Sequence, residues 1–192
     1  MKAFSEPKVR LEQYAMDGEI GASVLWSSYL LGDIEGKVIV DLGCGTGMLG
    51  LGALAMGAHR VLFVDIDQKA ISIAQSNYAK IKSESNIKGV GEFISQDLAN
   101  INLKADTVLQ NPPFGTKMKH NDVVFLKKAL ETAKIVYSFH KSETRKFLER
   151  LAKKINIRIT HVWDFEYPLK ATYKFHRRKI QRIGVSCFRF VK

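Results

Sequence analysis

The chain has 192 residues, 46% of them apolar, which suits one domain with a real core. Lys and Arg number 30 against 19 Asp and Glu, and the net charge of +11 favours a polyanionic partner, with a solvated basic surface as the ordinary alternative. Two cysteines exclude a disulfide framework and make the cytoplasm the default location, no apolar run approaches a membrane span, and residues 1–10 do not read as a secretory signal.

In chain order, Ser23 to Leu31 reads as a helix and Val38-Ile39-Val40 as a buried parallel strand. Met48 to Met56 is a small-residue helix, and Val61 to Val64 the second strand. Asp67 can cap the next helix, which runs to about Tyr78. Phe93-Ile94 is the third strand and Ala105 to Leu109 the fourth. Val123 to Thr132 is a helix, Ile135 to Tyr137 the fifth strand, and Ser142 to Lys154 a further helix. Ile155 to Val162 alternates as a sixth strand, and Ile183 to Phe190 is the seventh. This alternation predicts an α/β fold: a doubly wound, seven-stranded, mostly parallel sheet of Rossmann-like type in one domain. No helix separates the last two strands, so they are expected to close as an antiparallel hairpin.

Three loops carry the chemistry. Asn111-Pro112-Pro113-Phe114 follows the fourth strand; prolines fix φ and remove N–H donors, which leaves the carbonyls of Asn111 and Pro112 as outward acceptors beside an aromatic face. Two acceptors and a ring suit a planar group with an exocyclic NH2, such as a nucleobase. Asp41-Leu42-Gly43-Cys44-Gly45-Thr46-Gly47 follows the first strand, and its glycines let a ligand approach the backbone at the start of a helix. Gly45 to Gly50 also satisfies G-x-G-x-x-G, which admits a nicotinamide dinucleotide; Asp41 and the lack of a second substrate domain favour S-adenosylmethionine. Asp41 can brace the loop or meet a cationic amino-acid group. Asp65, ending the second strand, suits a ribose diol in either cofactor. Asp97 can accept from an adenine amine or cap a helix.

The chain resembles class I S-adenosylmethionine-dependent methyltransferases, and among them the methyltransferase-like 5 family of rRNA adenine-N6 enzymes. The resemblance rests on Leu11-Glu12-Gln13-Tyr14, the glycine loop, Asp65-Ile66-Asp67, Asn111 through Lys117, Tyr137-Ser138-Phe139-His140-Lys141 and Ala171 through His176. It implies that residues 1–22 cover the cofactor, with Gln13 and Met16 touching it. Gly43, Gly45, Thr46 and Met48 would line its methionine and ribose side, Asp65 would hold the ribose, Asp97 with Leu98 would frame the adenine, and Asn111 to Phe114 would hold the target base. The family often has Pro-Thr where this chain has Ala15-Met16, which costs a hydroxyl contact, and Thr46 replaces a family cysteine. The resemblance also implies a small zinc-binding activator subunit that pairs by strand addition.

The stretch from Lys170 to Arg182 carries Lys174, His176, Arg177, Arg178 and Lys179 with Tyr173 and Phe175 interleaved. A hairpin loop there would share the rim with Asn111, where cations contact phosphates and rings stack on bases. Lys117 belongs to the same expected RNA surface. His140 and Lys141 would contact the RNA backbone or order the pocket. His59, His120, His161 and His176 lack ligand spacing, so no metal is expected. DNA adenine, a protein glutamine amide, or a non-catalytic RNA-binding role remain as alternatives.

Overall fold

The structure, a computed structural model, describes residues 16–113, 121–170 and 180–192. The first helix, α1 (Gly18–Leu30), starts at Asp17, whose side chain accepts from the amides of Glu19 and Ile20. Then follow β1 (Val38–Leu42), α2 (Met48–Ala55), β2 (Arg60–Asp65), α3 (Gln68–Glu84) and β3 (Val90–Ser95). After a short 3-10 turn at Leu98–Asn100 come β4 (Ala105–Gln110), α4 (Asn121–Thr132) and β5 (Ala133–Lys141). A second such turn, Ser142–Thr144, leads into α5 (Arg145–Lys154), and the chain closes with β6 (Arg158–Lys170) and β7 (Ile180–Val191).

The strands form one seven-stranded sheet in the order β3-β2-β1-β4-β5-β7-β6. The first five are parallel; β7 runs antiparallel to β5, and β6 antiparallel to β7. The sheet separates two apolar layers because neighbouring side chains along a strand point to opposite faces. Ile39, Phe63, Leu109 and Tyr137 meet α1, α2 and α3 on one face. Val40, Leu62, Val108, Val136 and Phe188 meet Leu126 and Ala129 of α4 and Leu148 and Ala152 of α5 on the other. Near-continuous apolar strands are what a sheet covered on both faces requires.

Three features position the functional loops. After β3 the chain crosses over β1 to form β4, so the strand order reverses between β1 and β4 and opens a crevice at their carboxyl ends. The β6–β7 ladder runs past the end of β5: Lys141 is opposite Val185, and the pairing continues from Glu166↔Gly184 to Lys170↔Ile180. Its free end therefore stands above the rim where β4 and β5 finish. Third, a half-buried ion pair ties α1's exit to β5 and β7 on the same face of the sheet. Asp33 takes Nε and Nη2 of Arg189 at 2.7 and 3.1 Å, and accepts the Tyr137 hydroxyl at 2.6 Å. Burial and that bond to Asp33 push the Tyr137 phenol well up.

Two boundaries differ from the sequence expectation. Ile155 does not open a strand; it caps α5, and Asn156 turns the chain through a left-handed conformation at φ 56° before β6 begins at Arg158. Ser142 begins a 3-10 turn rather than the helix itself, which starts at Arg145.

Candidate active site

The glycine loop leaves β1 at Leu42, and the Asn111 segment leaves β4 at Gln110. These two residues are register partners in adjacent parallel strands, so the loops emerge side by side. The glycine loop is shaped from within. The amides of Gly43 and Cys44 both donate to the Val64 carbonyl, at 2.8 and 2.9 Å. Gly43, Gly45 and Gly47 all take positive φ (71°, 54° and 85°), which other residues adopt only under strain. A Cβ on Gly43 would lie 2.9 Å from Phe125 Cε1, so the loop is pressed against α4 as well.

Two carboxylates organise this loop. Asp41 is 2% exposed and its Oδ2 accepts the Gly50 amide of α2 at 2.8 Å. Burial pushes its carboxyl up to about 7, against the opposing pull of that hydrogen bond. Of the two roles expected for Asp41, bracing the loop has its bond here, while the buried side chain is not open to a ligand's ammonium group. Asp65 is half-buried; Oδ2 accepts the Gly45 amide at 2.9 Å and Oδ1 the Asp67 amide at 2.8 Å. Burial raises its carboxyl as well, with the two amides pulling the other way. Each oxygen keeps a second lone pair, which is the acceptor capacity a ribose diol needs.

The remaining cofactor residues fall around this loop. A Cβ on Gly21 would lie 3.3 Å from Met16 Cγ and 3.6 Å from Met48 Sδ, so those two methionines converge beside α1. Thr46 is buried, and its carbonyl accepts from Asn77 Nδ2 at 3.0 Å. Asp97 is exposed and caps the 3-10 turn through a 2.9 Å bond to the Ala99 amide, with half-buried Leu98 next to it. That cap is the ordinary alternative foreseen for it. Gln13 lies outside the described residues.

At the end of β4, Pro112 is buried and Asn111 and Pro113 are half-buried. The Asn111 Oδ1 atom is buried and accepts no hydrogen bond among the described residues. A buried acceptor left open costs free energy and calls for a donor from elsewhere. Phe114, Lys117, Lys174, Phe175, His176, Arg177, Arg178 and Lys179 lie outside the described residues.

His140 requires a correction. It is 1% exposed, with its ring against Phe188, so it does not face an RNA backbone. Its ring nitrogens meet Ser138 Oγ at 2.7 Å and Asp122 Oδ2 at 3.4 Å, which leaves ordering the pocket as its open role. Lys141 is half-buried and 3.5 Å from Glu143. Sequence reasoning passed over Gln110, Ser138 and Asp122. The signal was there: Ser138 and His140 alternate on one face of an otherwise apolar strand, and Gln110 is a polar end to another. Away from this rim, a cleft of about 550 Å3 lined by residues such as Glu35, His59 and Gly89 is formed by the loops that enter β1, β2 and β3, and it shares no residue with the site.

The methyltransferase small domain family matches residues 17–137. The rRNA N(6)-adenosine-methyltransferase METTL5 of Danio rerio is 36% identical, covering 97% of this chain and 91% of its own. The chain belongs to the methyltransferase-like 5 family. The Mettl5 protein of Drosophila melanogaster is 37% identical over 97% of this chain and 89% of its own. A crystal structure of a candidate RNA methyltransferase from Pyrococcus horikoshii superposes with a TM-score of 0.90 at 40% identity, covering 100% of this chain and 92% of that one. S-adenosylmethionine is the methyl donor. The glycine loop suits that donor: its left-handed turns bring bare backbone to the start of α2, and Asp65 offers paired acceptors beside the Gly45 amide. Among the described residues, no helix is long and apolar enough to cross a membrane.

Proposed function

We propose that this enzyme methylates the N6 amine of an adenine in RNA, with rRNA of the small subunit as its substrate. The observation that carries this reading is the open acceptor on Asn111 beside the methyl-donor loop. Relatives of nearly equal length that bear the name rRNA N(6)-adenosine-methyltransferase support it.

An adenine N6 amine is a poor nucleophile because its lone pair is delocalised into the ring. Asn111 Oδ1 would accept one N6 hydrogen and the Pro112 carbonyl the other. That pairing favours a more tetrahedral nitrogen with its lone pair free for attack. S-adenosylmethionine supplies an electrophilic methyl on a positive sulfur that leaves neutral. The residues then contribute position and electrostatic fit, and the surplus proton leaves the nitrogen after transfer. Phe114 would stack the base, a contact worth about 1–3 kcal/mol in other base–aromatic pairs. The base must be unpaired or flipped to enter. Gln13, Met16, Met48, Asp65, Asp97 and Leu98 would surround the donor, with residues 1–22 folding over it.

The net charge of +11 and the basic segment between β6 and β7 favour RNA over a protein glutamine amide, which presents the same planar NH2. A small zinc-binding activator would add a strand at an edge of the sheet; β3 and β6 are its edges among the described residues, and Val90 of β3 is exposed. The expected location is the cytoplasm, in keeping with two free, buried cysteines.

The test is transfer of labelled methyl groups onto total RNA, followed by nucleoside analysis. N6-methyladenosine is expected from the wild type and none from Asn111→Ala, which should still bind S-adenosylmethionine. Label in another nucleoside or in protein, or full turnover by the variant, would overturn the reading.

A further inference from the structure

Asn111 leaves the sheet between two residues that are joined to each other beneath it. Gln110, the last residue of β4, and Asp122, in the first turn of α4, flank residues 111–121 in the chain. They are linked through β5. Gln110 Nε2 donates to Ser138 Oγ at 2.8 Å, Ser138 Oγ lies 2.7 Å from His140 Nε2, and His140 Nδ1 lies 3.4 Å from Asp122 Oδ2. Gln110 and Ser138 are fully buried and His140 nearly so.

The direction of each bond follows from the groups present. An amide nitrogen has only hydrogens to give, so Ser138 Oγ accepts from Gln110. A carboxylate only accepts, so Nδ1 carries a ring proton toward Asp122; with that proton on Nδ1 of a neutral ring, Nε2 accepts the Ser138 hydrogen. The bond from His140 Nδ1 holds the Asp122 carboxyl below the ordinary carboxylate range.

We infer that this relay is a staple holding the two ends of the Asn111 segment at a fixed spacing, so that Ser138, His140 and Asp122 are positioning residues for the methyl transfer proposed above. The prolines explain why a staple is needed. Pro112 and Pro113 have no N–H, so the segment that aims the Asn111 acceptor cannot be anchored by donating its own backbone there. Anchorage must come from its flanks. Stability alone is a poor account of the relay. It buries polar groups beside Phe188 and leaves Gln110 Oε1 buried with no partner among the described residues, a cost that apolar side chains would avoid.

The experiment uses the full chain with labelled S-adenosylmethionine and substrate RNA, under single-turnover and saturating conditions. Ser138→Ala and Asp122→Ala are expected to lower kcat by about 10- to 100-fold, as small misplacements of reacting groups do. Cofactor affinity and RNA KM should stay near wild type; the unfolding midpoint falls modestly, because Ser138→Ala orphans the buried Gln110 amide, so turnover is compared well below that midpoint. Asp122→Asn keeps an oxygen facing Nδ1 and should regain most of the lost kcat. Nitrogen-15 NMR of the His140 ring should find the proton on Nδ1. Unchanged kcat in both alanine variants, a loss that tracks cofactor affinity, or a ring proton on Nε2 in place of Nδ1 would each overturn the staple. If the wild type fails to methylate adenine N6, the functional reading fails separately, and the ring NMR still reads the relay.

Discussion

Asp41 shows how one buried side chain can set a pH dependence. Its carboxyl titrates near 7 in the folded protein against roughly 3.9 in an unfolded chain. The folded state therefore binds more protons between these values, and stability falls as pH rises from about 4 to about 7. Asp41→Asn keeps an oxygen for the Gly50 amide and removes the charge. It should flatten that descent and raise stability at neutral pH by about 1–4 kcal/mol, read from denaturant midpoints across pH 4 to 8. At Asp65 the expected loss is in binding: Asp65→Ala removes the acceptors proposed for the ribose together with the anchor of the Gly45 amide. Calorimetry with S-adenosylmethionine should find affinity lowered at least about 10-fold, the effect of about 1.4 kcal/mol.

Among the elements, the contact of α1's exit with β5 and β7 is the most exposed to single substitutions. Asp33→Ala would leave the Arg189 guanidinium, 13% exposed, without its carboxylate, and would strip the Tyr137 hydroxyl of its acceptor. A loss of about 3–5 kcal/mol in denaturant unfolding is expected, because an uncompensated charge is then left inside. Much of this architecture was legible beforehand. Continuous β-branched runs such as Val38 to Val40 and the switch to helical spacing at Met48 gave the strand–helix alternation, and the missing helix after the sixth strand gave the antiparallel hairpin. The glycine loop and Asn111 were legible as segments leaving strand ends, because their residue types suit turns there. Ile155 misled because an apolar alternation continues across a left-handed turn at Asn156 that composition does not announce. The Gln110–Ser138–His140–Asp122 relay stayed hidden because it joins residues from three elements, and only the register of β4 against β5 brings Gln110 beside Ser138.

For the whole molecule, charge and shape point the same way. The β6–β7 ribbon overtops the rim of the active site, and the segment between its strands holds the densest run of cations in the sequence. RNA affinity should therefore fall steeply with salt. Reversing the charge of Arg177 and Arg178 should weaken binding and reduce the magnitude of the log–log salt slope by about 1.4, at about 0.7 per phosphate contact on single strands. Filter binding across a salt series centred on about 0.15 M, where the Debye length is about 8 Å, reads this directly. Cofactor titrations of the same variant should match wild type.

The pairing of Leu42 with Gln110 has one more consequence. Neighbouring strands sit about 4.8 Å apart, an interval that backbone bonding enforces. On the proposed reading, donor and recipient thus ride on adjacent rungs of a single stiff lattice. Their separation should vary little with warming or with sheet twist.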